Sequence, residues 1–333
     1  MERVLFERLY EELYRILTNA GFSKDRAELV ARLFAENQRD GVYSHGINRF
    51  PGFVEGIQKK QLDIHAEPEC VQSLGVIERW DGKMGIGLVN AHRCMGRAIE
   101  IAKEHGMGCV GLKNTNHWMR AGAYGLQAAD AGCIGICWTN TTPLMPPWGS
   151  ADVKIGNNPM VIAVPKAEGH ILLDMAMSQY SNGKLEVLKR QGKKLPLAGG
   201  FDSEGELTLD PGAILESRRA LPIGYWKGSA LAIVLDTMGT IISGGQSTHQ
   251  IGRQGAEYAV SQVYIAIDVT SLAGEQVLHE TVNAIVQDVH TAHPLNPEED
   301  VRYPGEGMLR IRRESMEKGV WMDAGQWEAL LAM

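Results

Sequence analysis

Leu5, Leu9, Leu13, Ile16 and Leu17 recur at three- and four-residue intervals, so residues 5–19 are expected to form an amphipathic helix that Gly21 ends. Ser23 suits the N-cap of a second helix, whose apolar side is Ala27, Leu29, Val30, Leu33 and Phe34 and which fades near Asp40 and Gly41. Helical spacing returns over 47–59, with Pro51 near the first turn, where its missing N–H costs little. Residues 60–83 are polar and broken by Pro68 and Gly75, with short strand-like pieces such as 76–80. Leu88, Ala91, Met95, Ala98, Ile99 and Ala102 then predict a helix over 88–105. Strands at 107–112 and 134–139 flank a helix at 121–131, with 114–118 as a polar loop, which is α/β alternation.

Turn formers dominate 140–160, strand-like pieces occupy 160–165 and 170–175, and a short helix fits 181–190. Residues 191–227 read as one long irregular stretch, a length that usually carries function or packs at an interface. The apolar run 228–242 suits a helix better than a strand pair by its length. Residues 261–269 alternate as a strand does, and 277–290 have helical spacing. A loop with Pro294, Pro297 and Pro304 precedes short helices near 310–318 and 323–332. Helices at both chain ends can therefore pack together around a central α/β unit.

Gly106, Gly108 and Gly111 match the letters of a dinucleotide-binding fingerprint. That fingerprint needs a strand before the glycines and a helix beginning within them, so that helix N–H groups meet the pyrophosphate. Here the order is helix, glycines, strand. The glycines read as a turn, and a dinucleotide must be held some other way.

The 333 residues suffice for two domains or one large one. The composition is that of an ordinary globular chain, 44% hydrophobic and 22% charged, and the formal net charge of -7 argues against nucleic acid as a partner. Cys70, Cys94, Cys109, Cys133 and Cys137 form no CxxC, and their odd number and apolar surroundings suggest reduced, mostly buried thiols, hence a cytoplasmic protein with no metal site. The N-terminal stretch lacks the apolar core of a signal peptide, and Asp236 interrupts the most apolar run, so no membrane partner is expected.

The chemistry concentrates in Ser44, His45 and Arg49. An imidazole can exchange a proton near neutrality. A guanidinium suits bidentate carboxylate recognition. Four residues separate His45 from Arg49, which places them on one face if the segment is helical. Against this, His45 can simply cap the preceding helix, Ser44 can be a turn residue, and Arg49 can form a surface ion pair. His117 lies in a strand-end loop, a common place for active-site groups and also for structural histidines. Lys227 stands beside Gly228, where a backbone can approach an anion closely.

Taken together, Ser44-His45-Gly46 with Arg49, Asn116-His117, Gly156-Asn157-Asn158-Pro159, Asp174-Met175-Ala176 and Gly183-Lys184 resemble the malate/L-lactate dehydrogenases of the second, non-Rossmann type. Members of that family act on malate, lactate, ureidoglycolate and sugar acids. The aromatic-rich pieces Pro146-Pro147-Trp148-Gly149 and Gly224-Tyr225-Trp226-Lys227-Gly228 resemble its sugar-acid branch. The resemblance implies an α/β fold in which a non-Rossmann dinucleotide domain at 116–284 sits beside a helical domain at 1–115, completed by 285–333. It implies a homodimer, NAD(H) as cofactor with NADP(H) as the alternative, and a small 2-oxo sugar acid as substrate. It places the acid/base on His45, the carboxylate clamp on Arg49, and further active-site roles on Ser44 and His117. Cofactor contacts fall on His170, Ile171, Leu172, Leu173, Asp174, Met175, Ala176, Trp226, Lys227, Gly305, Glu306 and Gly307. Asn116, His117 and Arg120 are expected to read substrate hydroxyls. A malate, lactate or ureidoglycolate dehydrogenase of the same family, or a sugar-acid binding protein without turnover, remain the alternatives.

Overall fold

Four members of the first helix's apolar stripe, Leu9, Leu13, Ile16 and Leu17, are buried, while Leu5 is its exposed N-cap. In the computed structural model, which describes residues 2–333, a strand β1 (Glu2–Val4) leads into α1 (Phe6–Asn19), α2 (Lys24–Arg39) and α3 (Phe50–Gln58). Next come β2 (Glu69–Leu74), β3 (Ile77–Asp81), α4 (Gly87–His105), β4 (Met107–Thr115), α5 (Gly122–Asp130) and β5 (Cys133–Thr139). They are followed by β6 (Met160–Val164), β7 (Ile171–Met175) and α6 (Asn182–Arg190). A small lobe holds β8 (Gly200–Phe201), β9 (Leu207–Thr208), α7 (Pro211–Ser217) and β10 (Arg219–Ala220). The rest is α8 (Trp226–Ser243), α9 (Thr248–Arg253), β11 (Val260–Asp268), α10 (Val269–Ala273), α11 (Glu275–His290), α12 (Glu306–Lys318), β12 (Val320–Met322) and α13 (Ala324–Leu331).

Both chain ends build one helical unit. β1 pairs antiparallel with β12, and one core joins residues of α1, α2 and α3 to Val320, Met322, Trp327 and Leu330. The second unit is a seven-stranded sheet in the order β2-β3-β4-β11-β5-β6-β7. Only β3 and β4 run parallel; β11 enters between β4 and β5 antiparallel to both, so no doubly wound parallel sheet forms. The fold is α/β and non-Rossmann. α4 and α5 cover one face of the sheet and α8 the other. No helix among the described residues is long and apolar enough to cross a membrane.

The 106–111 glycines serve this layering. Gly106 is the left-handed cap of α4. A Cβ on Gly108 would strike the carbonyl of Ala98 in α4, and one on Gly111 would lie 2.8 Å from the carbonyl oxygen of Ile242 in α8. Their absent side chains let a helix lie close on each face of β4. The charge that interrupts the apolar run of α8 is also structural: Asp236 accepts from Asn140 Nδ2 at 2.8 Å and from the backbone of Thr248 at 2.9 Å.

Two expectations need correction. The boundary at 115/116 cuts through the sheet, because β2, β3 and β4 share it with β5. The edge strand β2 is exposed along its length, so no inward-outward alternation marks it as part of the sheet. The stretch 191–227 is not structureless: β8, β9 and β10 form a three-stranded sheet against α7. Its two-residue strands are too short to leave a periodic pattern.

The two units are joined at α4 and at Asp40. Leu88 and Val89 of α4 belong to the helical core, while Ala91, Cys94, Met95 and Ala98 belong to the sheet core. Asp40, the C-cap of α2, has a fully buried carboxylate that meets three guanidinium groups. Arg39 approaches at 2.8 Å, Arg120 from the loop before α5 at 2.8 Å, and Arg312 of α12 at 2.6 Å. Burial alone would push this carboxyl up; Arg312, Arg39 and Arg120 outweigh it and hold the group far below the ordinary carboxylate range. Removing the shared anion leaves buried cations without a counter-charge. Asp40→Asn is therefore expected to cost about 3 kcal/mol in urea unfolding at neutral pH. A loss under about 0.5 kcal/mol, the level of an ordinary surface change, would contradict this assignment.

Candidate active site

The segment after Asp40 is strapped to the end of α2 by two buried amides. Asn37 Nδ2 donates to the carbonyl of His45 at 3.0 Å. Gln38 accepts from the backbone of Ile47 at 3.1 Å and donates to the carbonyl of Trp321 at 3.0 Å. A side chain at Gly46 would collide with the Gln38 amide, so glycine is needed there. Tyr43, Ser44 and His45 form a single 3-10 turn, and Arg49 caps α3. No continuous helix spans His45 to Arg49. The strap and the intervening turn bring them together rather than a shared helical face.

His117 comes from the other unit, just beyond β4. Its loop is laid down by Asn116, whose Nδ2 donates to the carbonyls of Met84 at 2.7 Å and Gly85 at 2.9 Å. Gly87 lies under the loop, where any Cβ would overlap the carbonyls of Asn116 and His117. His117 Nδ1 accepts from the Met119 N–H at 3.0 Å, so in the neutral ring Nε2 carries the hydrogen. The rings of His45 and His117 stack with centroids 5.6 Å apart and planes 10° from parallel. Ser44 Oγ lies 3.1 Å from His45 Nδ1.

Electrostatics here disfavour positive charge on the imidazoles. Burial lowers His45 most, and the nearby His117, Arg49 and Arg120 lower it further, to about 3. Burial and Arg49 bring His117 down to about 4. Arg49 itself is exposed and has no carboxylate within ion-pair distance among the described residues. The surface ion pair that its sequence allowed is absent from that set. Near it lies Glu257, a residue that sequence reading missed. Glu257 is half-buried and accepts from the Thr142 N–H at 3.2 Å and its hydroxyl at 3.3 Å. Burial pushes its carboxyl up, while Thr142 and Arg49 pull it back. It follows a glycine-containing loop and stands in no periodic pattern or motif, so no sequence signal singled it out. α6 also reaches the cluster, since the Cβ position of Gly183 is 3.3 Å from Ser44 Cβ.

Two expected hydroxyl readers are already engaged. Arg120 is buried against Asp40 and does not reach outward. The Asn116 amide nitrogen is used up on the loop carbonyls, leaving only its oxygen. His117 retains a free Nε2.

The expected cofactor residues gather along one feature, the edge strand β7. As an edge it leaves one side of its backbone outside the sheet. At one end, Leu172 N–H donates to the carbonyl of Pro304 at 2.8 Å. Gly305, at φ +99°, packs so tightly that a Cβ would stand 3.1 Å from His170 O and from Leu172. His170 is fixed there by the Lys166 N–H at 3.1 Å and by Asp130 at 2.8 Å. Glu306 bonds His290 at 3.0 Å, and Gly307 follows it in α12. At the other end, Met177 and Gln179 bond to 221–223, three residues before Trp226 and Lys227. Trp226 is 60% exposed, beside an exposed Trp148–Tyr225 pair with ring centroids 5.3 Å apart. Asp174 Oδ2, midway, accepts from Gly122 N–H at 2.9 Å. A five-residue strand spans roughly 17 Å, so these contacts suit an elongated ligand with flat rings. The residues fit a dinucleotide laid along β7 without any glycine-rich phosphate loop.

Comparison with known proteins identifies the family. The family model for malate/L-lactate dehydrogenase matches residues 4–331. The 2,3-diketo-L-gulonate reductase of Citrobacter koseri is 43% identical over 332 residues, covering 99% of this chain and 100% of its own length. Among solved structures, malate dehydrogenase from Entamoeba histolytica has a TM-score of 0.92 at 25% identity, over 99% of this chain and 96% of that one. Sulfolactate dehydrogenase from Methanocaldococcus jannaschii has a TM-score of 0.90 at 26% identity, over 99% and 95%. The chain belongs to the malate/L-lactate dehydrogenase family.

Proposed function

We propose that this chain is an NAD(H)-dependent oxidoreductase that reduces the 2-oxo group of a sugar acid, with 2,3-diketo-L-gulonate to 3-dehydro-L-gulonate as the reference reaction. The observation that carries the reading is the placement of Arg49, free of ion pairing among the described residues, beside the stacked His45–His117 pair. Beside a hydride, reduction of an oxo acid needs an anion clamp and one proton donor, and the second ring can hydrogen-bond the substrate. The Citrobacter koseri relative, named for such a reaction, supports the choice of acid. NADH held along His170–Ala176, with Trp226-Lys227 and Gly305–Gly307 at its ends, would supply the hydride.

Arg49 grips the substrate carboxylate and so fixes which face of the carbonyl is presented. His117, its Nδ1 held by Met119, donates from Nε2 to a substrate oxygen. His45 delivers the proton that the reduced oxygen needs. In the empty site His45 is neutral at pH 7, since its value is lowered to about 3. The substrate carboxylate at Arg49 offsets one of the lesser causes of this lowering, so substrate binding makes His45 easier to protonate. Ser44 orients that ring through Nδ1. The exposed apolar face of α8, formed by Ile233, Val234, Met238 and Ile241, supports the expected homodimer.

The direct test is oxidation of NADH and of NADPH with 2,3-diketo-L-gulonate, pyruvate, oxaloacetate and oxalurate. The sugar acid should give the highest kcat/KM with NADH. Turnover of none of the four, with the sugar acid still bound, would establish a binding protein instead. Within the active site, His45→Ala should lower kcat by about 10²–10⁴-fold while leaving NADH affinity within about twofold. Arg49→Ala should instead act mainly on KM for the oxo acid, lowering kcat/KM roughly 10–100-fold. Equal losses of NADH binding and turnover in both variants would rule out these separate roles.

A further inference from the structure

Three strand ends meet beside the catalytic cluster. β11 runs antiparallel to both β4 and β5, so its start lies next to their ends. His117 stands two residues beyond Thr115 of β4, whose partner in β11 is Val260. Glu257 stands three residues before Val260, and Thr142 three beyond Thr139, the last residue of β5. Asn140 ties β5 to β11 at this end: its N–H donates to the Ser261 carbonyl at 3.0 Å, and its Oδ1 accepts from the Ser261 N–H at 2.8 Å. The sheet topology therefore delivers Glu257 to the end of the sheet that carries His117, although the two are far apart in the chain.

The Glu257 carboxylate is half used. Both bonds from Thr142, N–H at 3.2 Å and hydroxyl at 3.3 Å, end on Oε2. Among the described residues Oε1 accepts from no protein group, and it is not sealed from solvent. No Lys, Arg or His of that set lies within ion-pair distance of it. Arg49 is close enough to act on this carboxyl through its charge, yet the two do not pair. The cluster thus holds one cation and one anion, each with capacity left for a ligand. Glu257 also fills a vacancy, since Arg120 and the Asn116 amide nitrogen, the expected hydroxyl readers, are engaged elsewhere.

We propose that Glu257 selects the tail of the substrate: its free oxygen accepts from a hydroxyl of the sugar acid while Arg49 holds the carboxylate at the other end. The inference rests on the oxo-acid reductase reading and names what separates a sugar acid from other oxo acids of equal length. An alkyl tail displaces water from the acceptor and gives it no donor in return. A tail that ends in a second carboxylate meets a like charge. A chain of hydroxyl donors avoids both costs. Thr142 is the positioning residue, fixing the carboxylate through Oε2 and leaving Oε1 to the substrate.

The test compares three six-carbon oxo acids with the full chain and NADH: 2,3-diketo-L-gulonate, 2-oxohexanoate and 2-oxoadipate, whose tails are hydroxylated, alkyl and anionic. In the parent protein kcat/KM for the sugar acid should exceed that for 2-oxohexanoate by about tenfold or more. Glu257→Ala should bring that ratio to about threefold or less, with KM for NADH changed no more than about twofold. Glu257→Gln, which keeps the shape and loses the charge, should retain an intermediate ratio and raise 2-oxoadipate against 2-oxohexanoate by about threefold or more. No preference for the sugar acid in the parent protein would overturn the proposal. So would an equal fall for all three acids in Glu257→Ala, which would reduce Glu257 to a support for the Thr142 loop. If no acid is reduced, the reductase reading has failed, and calorimetric titration of L-gulonate and of hexanoate in the presence of NADH still decides. L-Gulonate binding about tenfold tighter than hexanoate, falling to about threefold or less in Glu257→Ala, keeps Glu257 as the hydroxyl reader, and equal affinities remove it.

Discussion

The Asp40 carboxylate is the joint on which this structure depends. It is buried, it caps α2, and it is shared by Arg39, Arg120 and Arg312. One of these arginines comes from the same helix, one from the loop that follows His117, and one from the C-terminal α12. A single anion therefore fixes the helical unit, the catalytic loop of the sheet unit and the returning chain end relative to each other. The residue immediately after it begins the segment that carries Ser44, His45 and Arg49. Gly41, at φ +81°, turns the chain there, and a Cβ would lie 2.9 Å from Ile311 of α12. Charge and close packing act on the same point.

That joint explains how two histidines from separate units meet in a stacked pair. Each is tethered by its own element: the 3-10 turn is strapped to Asn37 and Gln38, and the His117 loop is pinned by Asn116 over Gly87. The electrostatic consequence is a site that rejects protons when empty. Burial lowers both rings, and Arg49 lowers both further. An anionic substrate relieves part of this penalty. Binding of the acid and protonation of the rings are therefore thermodynamically linked through Arg49, while burial remains the larger cause of their lowering.

Much of the layout was legible in the residue pattern, because long elements with one apolar face leave a strong period. α1, α2, α4 and β11 follow from spacing, α8 from the length of its apolar run, and β4 and β5 from their place in the α/β alternation. What failed has a common physical cause. β2 is exposed throughout, and β8, β9 and β10 are two residues each, so neither has a face to display in the sequence. Sheet order could not be read either, since β11 reaches its place between β4 and β5 from more than 120 residues away. In the site, His45, Arg49 and His117 stood out by residue type and local setting. Asp40 did not, because two of its three partners lie 80 and 272 positions away. Arg120 looked like a substrate reader for the same reason: its counter-ion was invisible.

The coupling between Arg49 and His45 is the central claim, and nuclear magnetic resonance of the His45 imidazole tests it without turnover. The ring signals should be titrated in the ligand-free protein and again with a saturating, unreactive oxo-acid analogue such as oxamate. Without ligand, the ring should stay neutral down to about pH 4. With the analogue bound, its midpoint should move up by at least about one unit, and Arg49→Gln should abolish that upward move. A midpoint near 6.5 in the empty protein, or one unmoved by the analogue, would contradict the account.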